Sequence, residues 1–284
     1  MDNYEIIETL GYGAFSTVYL VKDKISNKLY SMKKIPKHKD PNIHIKTTNQ
    51  INIGLYLNQN GYDNYIDHYV TETHYYLIFK YLQGSDLFTY QPKITHNNMF
   101  DIFIQMAEEL QKLHSLKIVH NDIKPENIML MVNGKIQFID FELSRTPDVN
   151  ISQKYEIRLS NEQDVSGSIY YISPEKYQKK TSDFYKSDIY SLGSTYYALI
   201  MADFPYQSND KLKYDTVYLH NLSDPNIVPK PFDQYIPLSL EQLIYQMLDK
   251  NYQNRPTLDE IISHLSKFTS SLNQMLNKLS ITDT

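Results

Sequence analysis

Cysteine and tryptophan are both missing from this 284-residue chain. Without cysteine there can be no disulfide, no zinc–thiolate centre and no thiol redox chemistry, which fits a reducing compartment. Long apolar runs are missing too, and none approaches the ~20 residues of a membrane-spanning helix. The start, Met1-Asp2-Asn3-Tyr4-Glu5, lacks the basic-then-apolar order of a secretory leader. There is no basic excess either: 28 Lys and Arg against 33 Asp and Glu give a net charge of −5. That argues against nucleic acid as the main partner, because phosphate backbones call for a basic face. These absences imply an intracellular, cytoplasmic protein, with the nucleus also open and no membrane partner. What is present suffices for a core, since 41% of residues are apolar. The 26 tyrosines read as the bias of an AT-rich coding sequence, not as chemistry.

The order of patterns is strands first, helices later, with no repeat and no low-complexity tract. Tyr4–Leu10, Thr17–Lys22 and Leu29–Ile35 are short runs of β-formers broken by turn residues. Between Pro41 and Asn58 the apolar residues alternate as in a strand, while the length and a possible cap at Thr47 or Thr48 allow a helix. Periodicity leaves the two open. Tyr65–Thr71 and His74–Leu82 read as a strand pair around Glu72-Thr73. From Phe100 to Leu113 a helical rhythm takes over, and it returns at Ser187–Met201, Leu238–Leu248 and Thr257–Phe268, the last just after Pro256. Leu143–Gly167 is polar and aperiodic and is expected to be a surface loop. The class is α+β, with room at this length for two lobes.

The stretch Val119–Leu130, V-H-N-D-I-K-P-E-N-I-M-L, sets Asp122, Lys124 and Asn127 at fixed offsets between apolar pairs. An aspartate can take a proton from a hydroxyl, a lysine can neutralise a phosphate, and an asparagine can offer Mg²⁺ a carbonyl oxygen. Ten residues on, the apolar run Ile136–Ile139 ends in a second carboxylate, Asp140. These are parts of a phosphoryl-transfer site, which depends on positioning and charge neutralisation. Upstream, Gly11-Tyr-Gly13-Ala-Phe-Ser16-Thr-Val18 lies between two strands, where glycines let backbone approach phosphate. A hairpin turn is the plainer reading of that stretch by itself. Lys33 and Lys34 end the third strand and face opposite ways.

Taken in order, these motifs resemble those of a eukaryotic-type protein kinase domain, and the resemblance runs from about Tyr4 to Phe268. It implies a bilobal fold with a small β-rich N-lobe over 1–82, a hinge at 80–82, a larger helical C-lobe over 83–268, and a tail over 269–284. It implies ATP and Mg²⁺, with Gly11, Gly13, Ser16 and Val18 over the phosphates and Lys33 on the α- and β-phosphates. Lys80 and Leu82 would bind adenine through their backbone, behind a Phe79 gatekeeper, and Asp86 would accept from the ribose. Asp122 would be the catalytic base, Lys124 a γ-phosphate partner, and Asn127 and Asp140 the metal ligands. Asp188 would hold the backbone of the Asp122 loop, and Glu175 would pair with Arg255. Lys124 and Gly167-Ser168 resemble the serine/threonine class, so a protein substrate is implied. A regulatory protein partner is left unidentified, and no flanking regulatory domain is expected.

The chain departs from the family's pattern at three places. Asn121 stands where an arginine usually receives an activation-loop phosphate, so loop phosphorylation is not expected to be the main switch, with Arg145 a lesser anchor. Glu142 stands where Asp-Phe-Gly has its glycine, and its carboxylate is expected to point to solvent in preference to the metals. No Glu occurs between Glu8 and Glu72, so the helix that should offer Lys33 a carboxylate carries an amide, with Asn52 nearest by offset. A pseudokinase acting as a nucleotide-binding or scaffold module is therefore the alternative. The joint presence of Lys33, Asp122, Lys124, Asn127 and Asp140 favours an active kinase.

Overall fold

The computed structural model describes residues 3–37, 41–62, 64–161, 165–180, 183–206 and 214–269. The tail from Ser270 onward lies outside them. Along the chain the strands are β1 (Tyr4–Gly13), β2 (Ser16–Asp23), β3 (Leu29–Pro36), β4 (Tyr65–Val70), β5 (His74–Lys80), β6 (Gly84–Asp86), β7 (Ile128–Met131) and β8 (Ile136–Phe138). The helices are α1 (Pro41–Gln59), α2 (Leu87–Tyr90), α3 (His96–Ser115), α4 (Val149–Tyr155), α5 (Pro174–Tyr177), α6 (Phe184–Met201), α7 (Tyr214–Ser223) and α8 (Leu238–Met247), followed by α9 at 258–269. The backbone clusters into two compact units. The first holds the described residues up to Gln83 plus Asp140–Leu159, and the second holds Gly84–Ile139 and the described residues from Ser160 on.

In the first unit, five antiparallel strands run in the order β1-β2-β3-β5-β4. Alternation gives the sheet two apolar faces. One face packs Ile35, Leu77 and Tyr75 against Ile43 and Ile51 of α1. The other gathers Val21, Met32, Tyr76 and Ile78 under tyrosines. Lys33 and Lys34 separate accordingly: Lys33 is buried, while the Lys34 ammonium lies 5.9 Å from the Tyr76 ring centre.

The ambiguous segment after Pro41 is a helix throughout. Its buried face includes Ile43, Thr47, Gln50, Ile51, Gly54 and Leu57, a clear 3–4 spacing in which half the members are not apolar. Thr47 is no cap; it lies mid-helix and its hydroxyl donates back to the Ile43 carbonyl at 2.8 Å. The expected loop after Leu143 also needs correction. It contains α4, capped by Asp148, whose carboxylate accepts from Asn150 N–H at 2.9 Å and Ile151 N–H at 3.0 Å. Asn49 of α1 fastens the ends of this segment, donating to the Ser144 carbonyl at 2.9 Å and accepting from Arg158 N–H at 2.7 Å. Polar sequence marks hydrogen bonding at the ends of this segment, while α4 itself has no buried residue.

The second unit is built on α6, buried from Ser187 to Ile200. Phe103 of α3 stacks on Tyr196 with ring centres 4.0 Å apart, and the Tyr196 hydroxyl donates to the Phe103 carbonyl at 2.6 Å. Gly193 lets α8 approach, since a Cβ there would stand 2.7 Å from the Met247 Cβ. Arg255 and Glu175 form the expected ion pair, bidentate at 2.7 Å in both arms and buried. Among the described residues no helix is long and apolar enough to cross a membrane.

Candidate active site

In the second unit, the loop after the buried pair Ile118-Val119 is fixed from beneath. The Asp188 carboxylate, itself buried, accepts from His120 N–H at 2.7 Å and Asn121 N–H at 2.9 Å. Burial pushes that carboxyl up, but His114 at 3.0 Å and the loop amide outweigh it and hold it below the usual aspartate range. His120 takes one orientation, its Nε2 facing the Ile139 carbonyl at 3.2 Å and its Nδ1 accepting from Asp122 N–H at 3.3 Å. Asn121 turns the chain with φ of +68°, a conformation that asparagine tolerates better than most residues. Its amide oxygen accepts from the buried Lys176 ammonium at 2.7 Å.

That framework delivers Asp122 to a set of four donors. One carboxylate oxygen accepts from Ser168 N–H at 3.0 Å and the Ser168 hydroxyl at 2.8 Å. The other accepts from the Asn127 amide at 2.9 Å and the Lys124 ammonium at 2.9 Å. Lys124 also donates to the Ser168 hydroxyl at 2.8 Å, so that hydroxyl receives one proton and gives another. Gly167 makes the approach possible: its φ is +123°, and a Cβ would stand 2.9 Å from the Asn121 carbonyl. Asn127 spends its N–H₂ on Asp122, which leaves its carbonyl oxygen as the atom suited to a hard cation.

The first unit gathers a second group. Lys33 on β3 donates to Asp140 Oδ1 at 2.8 Å, to Gln50 Oε1 at 3.4 Å and to Glu142 Oε2 at 3.4 Å. Burial works against its charge, but the Asp140 and Glu142 carboxylates outweigh burial and raise its pKa above the ordinary lysine value. Two expectations are corrected here. The helix residue at Lys33 is Gln50, while Asn52 donates instead to the Glu156 carbonyl at 3.1 Å. Glu142 faces Lys33 and Lys46, not solvent alone. Asp140 takes a left-handed conformation, φ 60° and ψ 74°, ahead of a 3-10 turn over Phe141–Leu143.

Gly11, Gly13, Ser16 and Val18 line the tight β1–β2 connection, where Gly13 pairs with Ser16 and Gly11 with Val18. Neither glycine takes a positive φ, so what they contribute is a missing side chain. A Cβ on Gly13 would come within 2.7 Å of the Ser16 hydroxyl. Lys80 closes β5, its N–H donating to the Asn64 carbonyl at 2.9 Å, and Leu82 follows the strand. Asp86 of the second unit caps α2, accepting from Thr89 N–H at 2.8 Å and the Thr89 hydroxyl at 2.9 Å. Among the described residues no group of three or more His, Asp or Glu side chains has metal-holding geometry. Taken singly, the carbonyl oxygen of Asn127 in the second unit and the carboxylate of Asp140 in the first are hard oxygen donors, the type that Mg²⁺ takes.

Gln50, Asn49 and Lys176 escaped the sequence reading. Gln50 and Asn49 were legible once Thr47, Gln50 and Gly54 counted as inward-facing; Lys176 had no signal beyond adjacency to Glu175. With this geometry in hand, comparison with known proteins is specific. A family model described as "Protein kinase domain" matches residues 4–265, so the chain belongs to the protein kinase family. A protein named "Probable serine/threonine-protein kinase" from Clostridium perfringens is 26% identical over 300 residues, covering 99% of this chain and 40% of that protein. Another of that name from Clostridium acetobutylicum is 28% identical over 272 residues, covering 93% and 40%. An Aurora kinase of Dictyostelium discoideum is 26% identical over 274 residues, covering 93% and 65%. The chain thus spans about two fifths of the length of the two clostridial relatives. Family membership implies ATP as substrate, commonly with Mg²⁺, and a protein acceptor.

Proposed function

We propose that this chain transfers the γ-phosphoryl group of ATP to serine or threonine hydroxyls of proteins. The observation that carries the reading is the four-donor clamp on Asp122, which fixes one carboxylate beside one ammonium. A carboxylate so held can orient an incoming hydroxyl and receive its proton as the bond to phosphorus forms and the bond to the β-phosphate oxygen breaks. Lys124 lies at hand for charge on the transferring group, and Lys33 serves the α- and β-phosphates. Asn127 and Asp140 would hold Mg²⁺, which when bound supplies neutralisation of phosphate charge. The β1–β2 glycines would lie over the phosphates, Lys80 and Leu82 would offer backbone to adenine, and Asp86 would serve the ribose in addition to capping α2. In lobe terms we assign 1–82 to the N-lobe, 83–268 to the C-lobe and 269–284 to a tail. Lys124 with Ser168 favours aliphatic hydroxyls over phenols.

A second reading, a pseudokinase, has one observation in its favour, the uncharged Gln50 at Lys33. Incubation with γ-labelled ATP, Mg²⁺ and a generic acceptor protein, followed by phosphoamino-acid analysis, separates the two. Label on Ser or Thr is expected. Label on Tyr alone contradicts the class, and nucleotide-induced thermal stabilisation without any transfer favours the pseudokinase.

A further inference from the structure

Lys33 presents three N–H groups to three acceptors, on Asp140, Gln50 and Glu142. If Asp140 serves a metal ion, its charge is shared, and Glu142 is the carboxylate left to Lys33. The other Glu142 oxygen stands 3.6 Å from the Lys46 ammonium on α1, four residues before Gln50 and on the same side of that helix. Glu142 therefore ties β3 to α1 by charge on both sides, and Gln50 ties them by a neutral amide. Residue 142 has no positive φ, so it carries a long side chain without backbone strain.

We propose that Glu142 is the positioning residue for Lys33, supplying from the 3-10 turn the negative charge that α1 lacks at Gln50. This rests on the phosphotransfer reading above. The two positions are coupled by charge. The Gln50 amide N–H₂ donates to Asp140 Oδ1 at 3.2 Å. A glutamate at position 50 would turn that hydrogen bond into a carboxylate–carboxylate contact and set three carboxylates around one ammonium. With Glu142 present, a carboxylate on the helix is harmful; with Glu142 gone, it is needed.

The test is a set of variants whose signs are opposed. Glu142→Gln and Glu142→Gly are each expected to lower kcat/KM for ATP at least tenfold. Gln50→Glu alone is expected to lower it as well, and Gln50→Glu/Glu142→Gly to return to within about threefold of wild type. A double variant no better than Glu142→Gly, or Glu142→Gln within twofold of wild type, overturns the proposal. A nucleotide-free readout keeps it separable from catalysis. Glu142→Gln should lower Tm by about 2 °C or more in the wild-type background, and should leave it unchanged or raise it in a Lys33→Met background. Equal Tm changes in both backgrounds overturn the pairing. If wild type transfers no more phosphate than Asp122→Asn, the phosphotransfer reading fails, and the Tm comparison still decides whether Glu142 and Lys33 are partners.

Discussion

Ser168 occupies the narrowest role in the Asp122 group, giving its hydroxyl proton to the carboxylate while accepting one from Lys124. Its removal leaves a lysine and an aspartate that meet directly but without a third point to fix the angle. Losing a charge-assisted hydrogen bond of about 1.5–3 kcal/mol corresponds to about 10–100-fold in rate if it is realised in the transition state. Ser168→Ala should therefore lower kcat by that factor, and Ser168→Thr, which keeps the hydroxyl, should retain most of it; steady-state kinetics on both checks this. That Asp122, Lys124 and Asn127 meet was legible, because they sit at short fixed offsets and need no knowledge of distant contacts. The partner of Lys33 was not. It depends on which of several amides α1 turns inward and on a carboxylate 109 residues away in sequence, and neither follows from local spacing.

Among the elements, α1 is where pattern reading fell short. Its inward face carries Asn49 and Gln50 because it meets backbone and charge in the 140–159 segment, not only the apolar sheet, and Thr47 because its hydroxyl is satisfied within the helix. Apolar residues alone then alternate, and the 3–4 rhythm shows only when the polar members are included. α4 was hidden for another reason: it is only 7 residues long and buries none of them, so it has no apolar rhythm to read. Asn49 makes two backbone hydrogen bonds, one buried and one partly buried, and leaving a buried group unpaired costs about 1–3 kcal/mol. Asn49→Ala should speed amide hydrogen exchange across 144–158 by at least tenfold while leaving the exchange of α3 and α6 unchanged. Uniform acceleration in both units would contradict this local role.

At the level of the whole molecule, two buried carboxylates set the acid limit of the fold. Glu175, paired with Arg255, and Asp188, beneath the Asp122 loop, both titrate below their ordinary values of 4.5 and 3.8 despite burial. A depressed folded-state pKa contributes stability that is complete above the unfolded value and is lost as pH falls through the folded one. Tm should thus hold between neutral pH and about 5, then drop steeply below the ordinary carboxylate range. Glu175→Gln should lose stability at neutral pH, by about 3–5 kcal/mol for a buried charge left unpaired, and show a shallower acid limb; calorimetry across pH checks both. The central claim remains that the clamped Asp122 makes this member of the protein kinase family a phosphotransferase. Its most direct test is Mg²⁺-dependent transfer of γ-labelled phosphate by wild type beside Asp122→Asn, which preserves shape and removes the proton acceptor. Transfer by wild type and a loss of about 10²–10⁴-fold in the variant is the expected result, and equal labelling by the two proteins would contradict it.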